Sequence, residues 1–201
     1  MFDPKLIEKF TRLETPFYYY DLDLLRETFQ HLGQVVAQKS YKIHYALKAN
    51  SNERILRLVK EHGFGADCVS GNEILRALQV GFDPEDIVFA GVGKTDQEIL
   101  LALEKGIHCF NCESLQELEV VSEHATATGT VAPVALRLNP DIDARTHHYI
   151  TTGLEENKFG INLADLDNAL ARAEKLPGLN LIGLHFHIGS QICEPMWKCR
   201  P

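Results

Sequence analysis

The chain has 201 residues, of which 45% are apolar and 24% are charged. That composition is typical of a soluble globular protein and excludes disorder as the dominant state. The 20 Lys and Arg residues against 28 Asp and Glu residues give a net charge of −8, and an acidic chain without a basic run is a poor candidate for binding nucleic acid or an anionic membrane. No apolar stretch reaches the length of a transmembrane helix and the N-terminus has no signal-peptide layout, so we expect a cytoplasmic protein.

The cysteines indicate reduced thiols rather than a disulfide framework, because their number is odd and the chain begins without a secretory leader. Cys109 and Cys112 have the spacing of a metal-binding or redox pair, but no second pair stands at a matching distance. Cys109 also lies in an apolar run typical of a buried strand, where a free cysteine behaves as a small hydrophobe. We therefore expect structural cysteines and no metal site. The five are Cys68, Cys109, Cys112, Cys193 and Cys199.

Short apolar runs alternate with segments of helical periodicity along the whole chain. A first strand is predicted at residues 16–21 and a helix at residues 22–38. Six further strands are predicted at residues 41–47, 65–69, 87–90, 107–111, 132–139 and 179–187. Helices are predicted between them at residues 52–62, 71–80, 95–105, 115–126 and 163–175. The strands are continuous and apolar, as expected when both faces of a sheet are covered.

This alternation predicts parallel strands joined by right-handed crossovers. No Gly-x-Gly-x-x-Gly motif follows the first strand, which weighs against an open dinucleotide-binding sheet. Polar residues instead stand at the carboxyl ends of several strands, namely Lys48, Asp67, Arg137 and His187, and in a barrel those ends form one rim. Because about six of the eight barrel strands can be identified, we predict an α/β fold, an incomplete (β/α)8 TIM-type barrel.

Lys48 is the first candidate for chemistry. Alternation along its strand puts His44, Ala46 and Lys48 on one face, so Lys48 would point inward near the mouth of the barrel. A lysine in that position is either a surface residue with its amine in water or an amine held in a partly dry pocket, where it becomes a nucleophile toward carbonyl groups. The position alone leaves both interpretations open.

The last predicted strand carries a second group of candidates. His185 and His187 share one face of that strand, and Gly189 and Ser190 follow its end. Two such histidines can ligate a metal, but nothing nearby adds a carboxylate ligand. Alternatively, one imidazole packs on an aromatic ligand while Ser190 and the N–H groups of the turn hold a phosphate. The third interpretation is a pair of core histidines.

Two other polar features of the sequence are an arginine within a predicted strand and a glycine-containing loop that follows another strand. Arg137 lies within an otherwise apolar strand, and an interior arginine is costly unless an anion or another acceptor meets it. Residues 91–95 (Gly-Val-Gly-Lys-Thr) look like the end of a phosphate-binding loop. Val88 stands where the Walker pattern requires its first glycine, so we expect no nucleotide site there.

Six separated motifs, in order from about Thr15 to Ile192, resemble the diaminopimelate decarboxylase family. This family belongs to the pyridoxal-phosphate decarboxylases built on an alanine-racemase-like barrel. The stretches at residues 139–147 (Asn-Pro-x-x-Asp-Ala-x-Thr-His) and 187–191 (His-Ile-Gly-Ser-Gln) favour the diaminopimelate branch over its ornithine and arginine relatives. The motifs are residues 45–50 (Tyr-Ala-Leu-Lys-Ala-Asn), 65–70 (Gly-Ala-Asp-Cys-Val-Ser), 137–140 (Arg-Leu-Asn-Pro), 143–147 (Asp-Ala-Arg-Thr-His), 156–160 (Glu-Asn-Lys-Phe-Gly) and 185–191 (His-Phe-His-Ile-Gly-Ser-Gln).

The resemblance implies a role for each candidate. Lys48 would carry pyridoxal 5'-phosphate covalently, His187 would stack on its ring and Ser190 would contact its phosphate. Asp67 and Arg137 would support the cofactor and its lysine. The implied reaction removes CO2 from meso-2,6-diaminopimelate to give L-lysine in lysine biosynthesis, and the implied assembly is a homodimer that binds an amino-acid substrate.

The resemblance ends near Ile192, because residues 193–201 do not look like the family's continuation. The resemblance therefore implies residues 1–25 as an N-terminal strand and lead-in, residues 26–192 as a partial pyridoxal-phosphate-binding barrel and residues 193–201 as a divergent tail. We expect a truncated form whose own activity is doubtful. The alternatives are a non-catalytic pyridoxal-phosphate-binding barrel and a related ornithine, arginine or carboxynorspermidine decarboxylase.

Overall fold

The computed structural model describes residues 3–39, 41–139 and 159–187. Contacts between Cα atoms divide the chain into two compact units, Met1–Ser40 and Tyr41–Pro201. The domain limits predicted at residues 25 and 192 stay predictions, and the second of them lies outside the described residues. No helix in the described ranges is long and apolar enough to cross a membrane.

The first unit contains two helices, each started by an aspartate. Asp3 accepts a hydrogen bond from the Lys5 N–H before α1 (Pro4–Phe10). Asp21 accepts hydrogen bonds from two N–H groups at the start of α2 (Leu22–Ala37), which confirms the helix predicted at residues 22–38. Such side-chain acceptors satisfy amides that the helix itself leaves without partners.

The strand predicted at residues 16–21 does not form. No described strand pairs with this segment, and every residue from 11 to 21 is exposed. The Phe10 ring instead packs on Phe17 and Tyr19, at centroid distances of 5.3 and 5.0 Å. Consecutive aromatic residues have high strand propensity, but that propensity reflects packing on a sheet rather than a preference of the isolated backbone.

The second unit is a parallel sheet with helices between its strands. The strand order is β1-β2-β3-β4-β5, and β5 pairs with both β6 and β7. The strands are β1 (His44–Ala46), β2 (Gly65–Cys68), β3 (Ile87–Phe89), β4 (Cys109–Cys112), β5 (Ala132–Asn139), β6 (Ile161–Asn162) and β7 (Leu179–Phe186). The helices are α3 (Glu53–Glu61), α4 (Gly71–Val80), α5 (Asp96–Lys105), α6 (Leu115–Ala127) and α7 (Leu166–Lys175). The predicted α/β fold class is confirmed, as are six predicted strands and six predicted helices. The helix α1 and the two-residue strand β6 were not predicted.

The sheet has one face that is entirely apolar. Strand register puts its side chains in line from β2 to β5, and the helices add further apolar side chains to the same core. Each fully buried side chain of this kind contributes roughly 1.5–3 kcal/mol to folding. The strand members are Ala66, Cys68, Ile87, Phe89, Phe110, Cys112, Val134 and Leu136, all at most 1% exposed. Leu56, Ile74, Ile99, Leu118 and Val121 of the helices are buried to the same degree.

Cys109 and Cys112 are separated by three positions in β4 and therefore lie on opposite faces of the sheet. Both are buried free thiols, as is Cys68. Burial raises the pKa of Cys109 to about 11 and raises the pKa of Cys112 as well. This geometry supports the structural interpretation, because a redox or metal pair needs both sulfurs on one side. The described ranges contain no cluster of three or more potential metal ligands, and Cys193 and Cys199 lie outside them.

Hydroxyl side chains start the helices that follow the strands. Ser70, Thr95 and Ser114 cap α4, α5 and α6 by accepting hydrogen bonds from N–H groups of the first turn. Thr95 and Glu98 form a reciprocal capping box. These caps bring the positive ends of three helices close to the carboxyl ends of the preceding strands, which is the edge where the predicted site residues lie.

Gly160, directly before β6, lies very close to the backbone of β5, and its substitution tests this close packing. Its φ angle is +95°, and an added Cβ would lie 2.9 Å from the Arg137 carbonyl oxygen and 3.0 Å from the Leu138 carbonyl carbon. We expect Gly160→Ala to lower the free energy of unfolding by about 1–3 kcal/mol, measured by urea denaturation. Gly93→Ala is the matched control, because no heavy atom lies within 4 Å of its added Cβ. Equal urea midpoints for both variants would contradict this packing.

Candidate active site

The face of the sheet opposite the core is polar near the carboxyl ends of the strands. Register aligns Ala46 with Asp67 and pairs Arg137 with His185. Asn111 lies on the same side, because it pairs with Ala135, two residues before Arg137. Alternation of side chains along parallel strands thus gathers the polar groups on one face while their neighbours fill the core.

Lys48 lies immediately beyond the end of β1. The strand ends at Ala46 and continues into a single 3-10 turn, Leu47–Ala49. Leu47 is 1% exposed and anchors that turn in the core, whereas Lys48 is exposed at the rim. The structure therefore places Lys48 at the rim of the polar face, where a ligand can reach its amine from outside the sheet.

The carboxyl group of Asp67 interacts electrostatically with several of the predicted site residues. Burial raises the pKa of this carboxyl group, while electrostatic interactions with Lys48, Arg137 and His187 lower that pKa and the interaction with Glu73 raises it. The desolvation effect is the largest, so the pKa of Asp67 lies above its ordinary value. Four of the five predicted site residues therefore interact at one edge of the sheet. Ser190, the fifth, lies outside the described residues.

Arg137 meets a carboxylate that sequence reasoning missed. Its Nη1 donates to Oε1 of Glu113 at 2.8 Å, and their side chains are only 13% and 4% exposed. The same Glu113 oxygen accepts the Gly91 N–H at 3.1 Å. The Arg137 guanidinium also lies 5.8 Å from the centroid of the Phe159 ring. The expectation that an acceptor satisfies this interior arginine is confirmed, and that acceptor is a buried acid directly after β4.

Lys94 is the second missed residue. Its side chain is 1% exposed, and Nζ donates to the Gly91 and Asn111 carbonyl oxygens and to Glu117 Oε1 at 2.8, 2.9 and 2.6 Å. The ammonium group also lies 5.2 Å from the Phe89 ring centroid. A lysine in a strand-to-helix loop is usually exposed, and the only sequence signal for its burial was the pair of glutamates, residues 113 and 117, after the next strand.

His185 is an imidazole held in its neutral form. Burial lowers its pKa to about 4, and the positive charge of Arg137 contributes in the same direction. Its Nδ1 atom is buried and has no hydrogen-bond partner among the described residues, and the same is true of Glu113 Oε2. Two buried polar atoms without partners on the polar face are suited to meeting donors or acceptors of a bound molecule or water.

The groups on this face have complementary chemical capacities. Lys48 offers an exposed amine, Asp67 a carboxyl group that protonates more readily than usual, and His185 a neutral ring. Arg137 supplies a fixed positive charge. This set can bind an anionic organic molecule, attack a carbonyl carbon and hold a proton between an amine and a carboxylate.

The raised pKa of Asp67 has a measurable effect on stability. Because its folded pKa exceeds its unfolded pKa, the folded state binds more protons between the two values, and wild-type stability rises as the pH falls through that interval. Asp67→Asn removes the desolvated charge, so we expect the variant to be more stable than the wild type at pH 7.

The difference in the free energy of unfolding between Asp67→Asn and the wild type should shrink on acidification. It should vanish near the pKa of an aspartate in the unfolded chain, about 4. Urea denaturation between pH 4 and pH 8 measures it, with Asp167→Asn on the exposed side of α7 as the matched substitution. A difference that grows on acidification would show that the pKa of Asp67 is not raised.

Comparison with known proteins identifies a family over most of the chain. Residues 22–196 match the family "Pyridoxal-dependent decarboxylase, pyridoxal binding domain". Diaminopimelate decarboxylase from Bacteroides thetaiotaomicron is 55% identical over 189 residues, which cover 94% of this chain and 49% of that protein. The Neisseria meningitidis serogroup A enzyme of the same name is 44% identical, over 95% of this chain and 46% of its own length. The chain thus spans about half the length of the curated relatives it matches.

Solved structures agree with this assignment. A mutant of diaminopimelate decarboxylase from Helicobacter pylori, complexed with L-lysine, superposes with a TM-score of 0.84 at 44% identity, covering 94% of this chain and 48% of that one. The M. jannaschii enzyme in complex with L-lysine gives a TM-score of 0.81 at 34% identity, over 92% of this chain and 45% of that one. The motifs that suggested the family, the polar rim of the parallel sheet and these matches lead to one conclusion: the chain belongs to the pyridoxal-dependent decarboxylases and carries their pyridoxal binding domain.

Proposed function

We propose that this chain contributes the pyridoxal-phosphate-binding part of a diaminopimelate decarboxylase, which removes CO2 from meso-2,6-diaminopimelate to give L-lysine. The observation that carries the proposal is the strand register, which puts Asp67, Arg137 and His185 on one polar face of the sheet. Lys48 and His187 both act electrostatically on the Asp67 carboxyl group there. Identity of 44–55% to several enzymes of that name adds the reaction class.

The residues present fit the proposed cofactor. Lys48 offers an exposed amine at the rim, which is what a covalent bond to the aldehyde of the cofactor requires. Two of the three buried polar atoms without partners among the described residues, Glu113 Oε2 and His185 Nδ1, lie in the polar part of the sheet where such a molecule would bind. His187 at the end of β7 would stack on the ring, and Ser190 would contact the phosphate.

Pyridoxal phosphate, when bound, supplies an electron sink for the electron pair that a departing carboxylate leaves on the α-carbon. The residues of this chain would orient the substrate and hold or release protons. Asp67, with its raised pKa, would hold or release a proton on the polar face of the sheet, where its carboxyl group interacts electrostatically with Lys48. Arg137, held by Glu113, keeps a positive charge next to Asp67 throughout.

The nearest competing reaction is decarboxylation of another basic amino acid. The arginine decarboxylase of Paramecium bursaria Chlorella virus matches at 26% identity with a TM-score of 0.67, over 83% of this chain and 42% of its own. Those values are lower than the 44% identity and TM-score of 0.84 of the diaminopimelate enzyme. The comparison therefore favours diaminopimelate as the substrate over arginine.

We further propose that the complete enzyme works in the cytoplasm as a homodimer. Three described cysteines are buried free thiols, which is the usual state in a reducing compartment. The dimer is inferred from the family resemblance, and light scattering of the purified protein measures it directly.

The assignment of Lys48 is tested by trapping. Borohydride reduction of the protein incubated with pyridoxal phosphate should fix the cofactor on Lys48, and peptide mapping should find the mass increase on the peptide that contains it. Lys48→Ala should lose the visible absorbance of the adduct, whereas Lys60→Ala, an exposed lysine on α3, should keep it. Mapping of the main adduct to a different lysine would refute the assignment.

The activity of this chain is tested separately. We expect the purified 201-residue chain to bind pyridoxal phosphate weakly and to release no measurable CO2 from meso-diaminopimelate, because it spans only about half the length of its relatives. A radiometric CO2 assay on size-fractionated protein measures this, with Lys48→Ala as the background. Turnover that disappears in Lys48→Ala would overturn the expectation and would support the proposed reaction.

A further inference from the structure

Lys94 is more deeply buried than the other lysines whose ion pairs the structure defines, although the proposed reaction does not use it. Its side chain is 1% exposed, whereas those of Lys42 and Lys105 are 48% and 37% exposed. All three protons of its ammonium group have acceptors within 2.9 Å. An amine that donates three hydrogen bonds has no free lone pair for nucleophilic attack, so its function must depend on the groups that it holds.

Those groups come from three parts of the sheet edge. Gly91 follows β3, Asn111 lies in β4, and Glu117 lies in the first turn of α6. The second oxygen of Glu117 accepts the Glu113 N–H at 2.7 Å. Lys94 therefore fixes Glu117, and Glu117 fixes the backbone of the residue whose side chain holds Arg137.

The connection to Arg137 has a second branch. Gly91, whose carbonyl oxygen accepts from Lys94, donates its N–H to Glu113 Oε1. That oxygen is the one that accepts from Arg137 Nη1 at 2.8 Å. Lys94 thus acts on Glu113 from two directions, through the Glu117 carboxylate and through the backbone of Gly91, whose two adjacent peptide groups contact Lys94 and Glu113 respectively.

The four charges of this group balance. Lys94 and Arg137 carry two positive charges, and Glu113 and Glu117 carry two negative ones, with side-chain exposures between 1% and 13%. Removing one member of a buried set leaves an uncompensated charge, and the remaining partners rearrange to reach water or each other. Loss of Lys94 would leave two neighbouring carboxylates to compete for the single guanidinium group.

We propose that Lys94 is a positioning residue, which through Glu117 and Glu113 fixes the Arg137 guanidinium against the polar face of the sheet and so sets the electrostatic environment of Asp67 and His185. The role of Arg137 at the cofactor site rests on the proposed function, but its fixation by Lys94 does not. If Lys94 only closed the loop after β3, its loss would lower stability without changing the mobility of Arg137 in the folded state.

Side-chain NMR of the full chain without cofactor distinguishes these two roles. The order parameter of the Arg137 Nε–H bond, assigned with Arg137→Lys, should fall from about 0.8 in the wild type to below about 0.6 in Lys94→Met. Glu117→Gln should have the same effect, because its single amide oxygen can accept from Lys94 or from the Glu113 N–H but not from both. Lys105→Met removes a partly exposed lysine on α5 and should leave the value unchanged.

An unchanged Arg137 order parameter in folded Glu117→Gln would overturn the proposal, even if Lys94→Met proved too unstable to examine. His185 gives an independent readout. The groups that act on its pKa are Arg137, Glu113, His187 and Lys94, and Glu117 is not among them. A change of the His185 titration midpoint in Glu117→Gln would therefore report movement of Lys94, Glu113 or Arg137, and the Arg137 order parameter identifies the contribution of Arg137.

Cofactor binding separates failure of the positioning role from failure of the proposed function. Lys94→Met should weaken pyridoxal phosphate binding about tenfold in the wild-type background and by less than about twofold in an Arg137→Met background, as expected when two residues act as one unit. Equal losses in both backgrounds would overturn the positioning role. Absence of binding by the wild type would refute the cofactor assignment and leave the NMR result as the test of positioning.

Discussion

The ion pair between Arg137 and Glu113 is the interaction on which the polar face of this sheet depends. An arginine inside a strand would be strongly unfavourable without a partner, and its 2.8 Å contact with a carboxylate that is 4% exposed removes that penalty. Glu113 can serve as this partner because it follows β4, whose neighbour in the sheet is β5. Parallel pairing brings the end of one strand beside the interior of the next, so residues 24 positions apart in sequence become partners.

The core and the site are two faces of the same strands, and they make opposite contributions to stability. The apolar face holds side chains that are at most 1% exposed. The polar face contains Asp67, whose pKa burial raises, and His185 Nδ1, which has no hydrogen-bond partner in the part of the chain that the structure describes. These features weaken the folded state, and they persist because burial of Phe89, Phe110 and their neighbours is large enough to offset them.

Local patterns in the sequence predict the elements of the barrel wall well, since apolar periodicity is a local property. The helix limits at Gly71 and Val80 agree with the structure to the residue, because Ser70 caps one end and Gly81 adopts a positive φ at the other. The prediction fails where an element depends on a distant partner. Residues 16–21 have strand composition without a neighbouring strand edge, and β6 has only two residues, too few for a periodic signal.

The same limit explains which site residues could be predicted. Lys48 and Lys94 both follow a strand in sequence and both precede a helix, so their local patterns hardly differ. Their environments differ because Lys94 meets Glu117, 23 positions later, and two carbonyl oxygens, whereas Lys48 follows the buried Leu47 and remains exposed. A lysine with three acceptors is a structural cation, whereas an exposed lysine at the rim keeps an amine that a ligand can reach. The different surroundings of the two lysines, which only the folded chain defines, therefore give them different roles. For Lys48, the resemblance to a family predicts a role that the local sequence pattern does not predict.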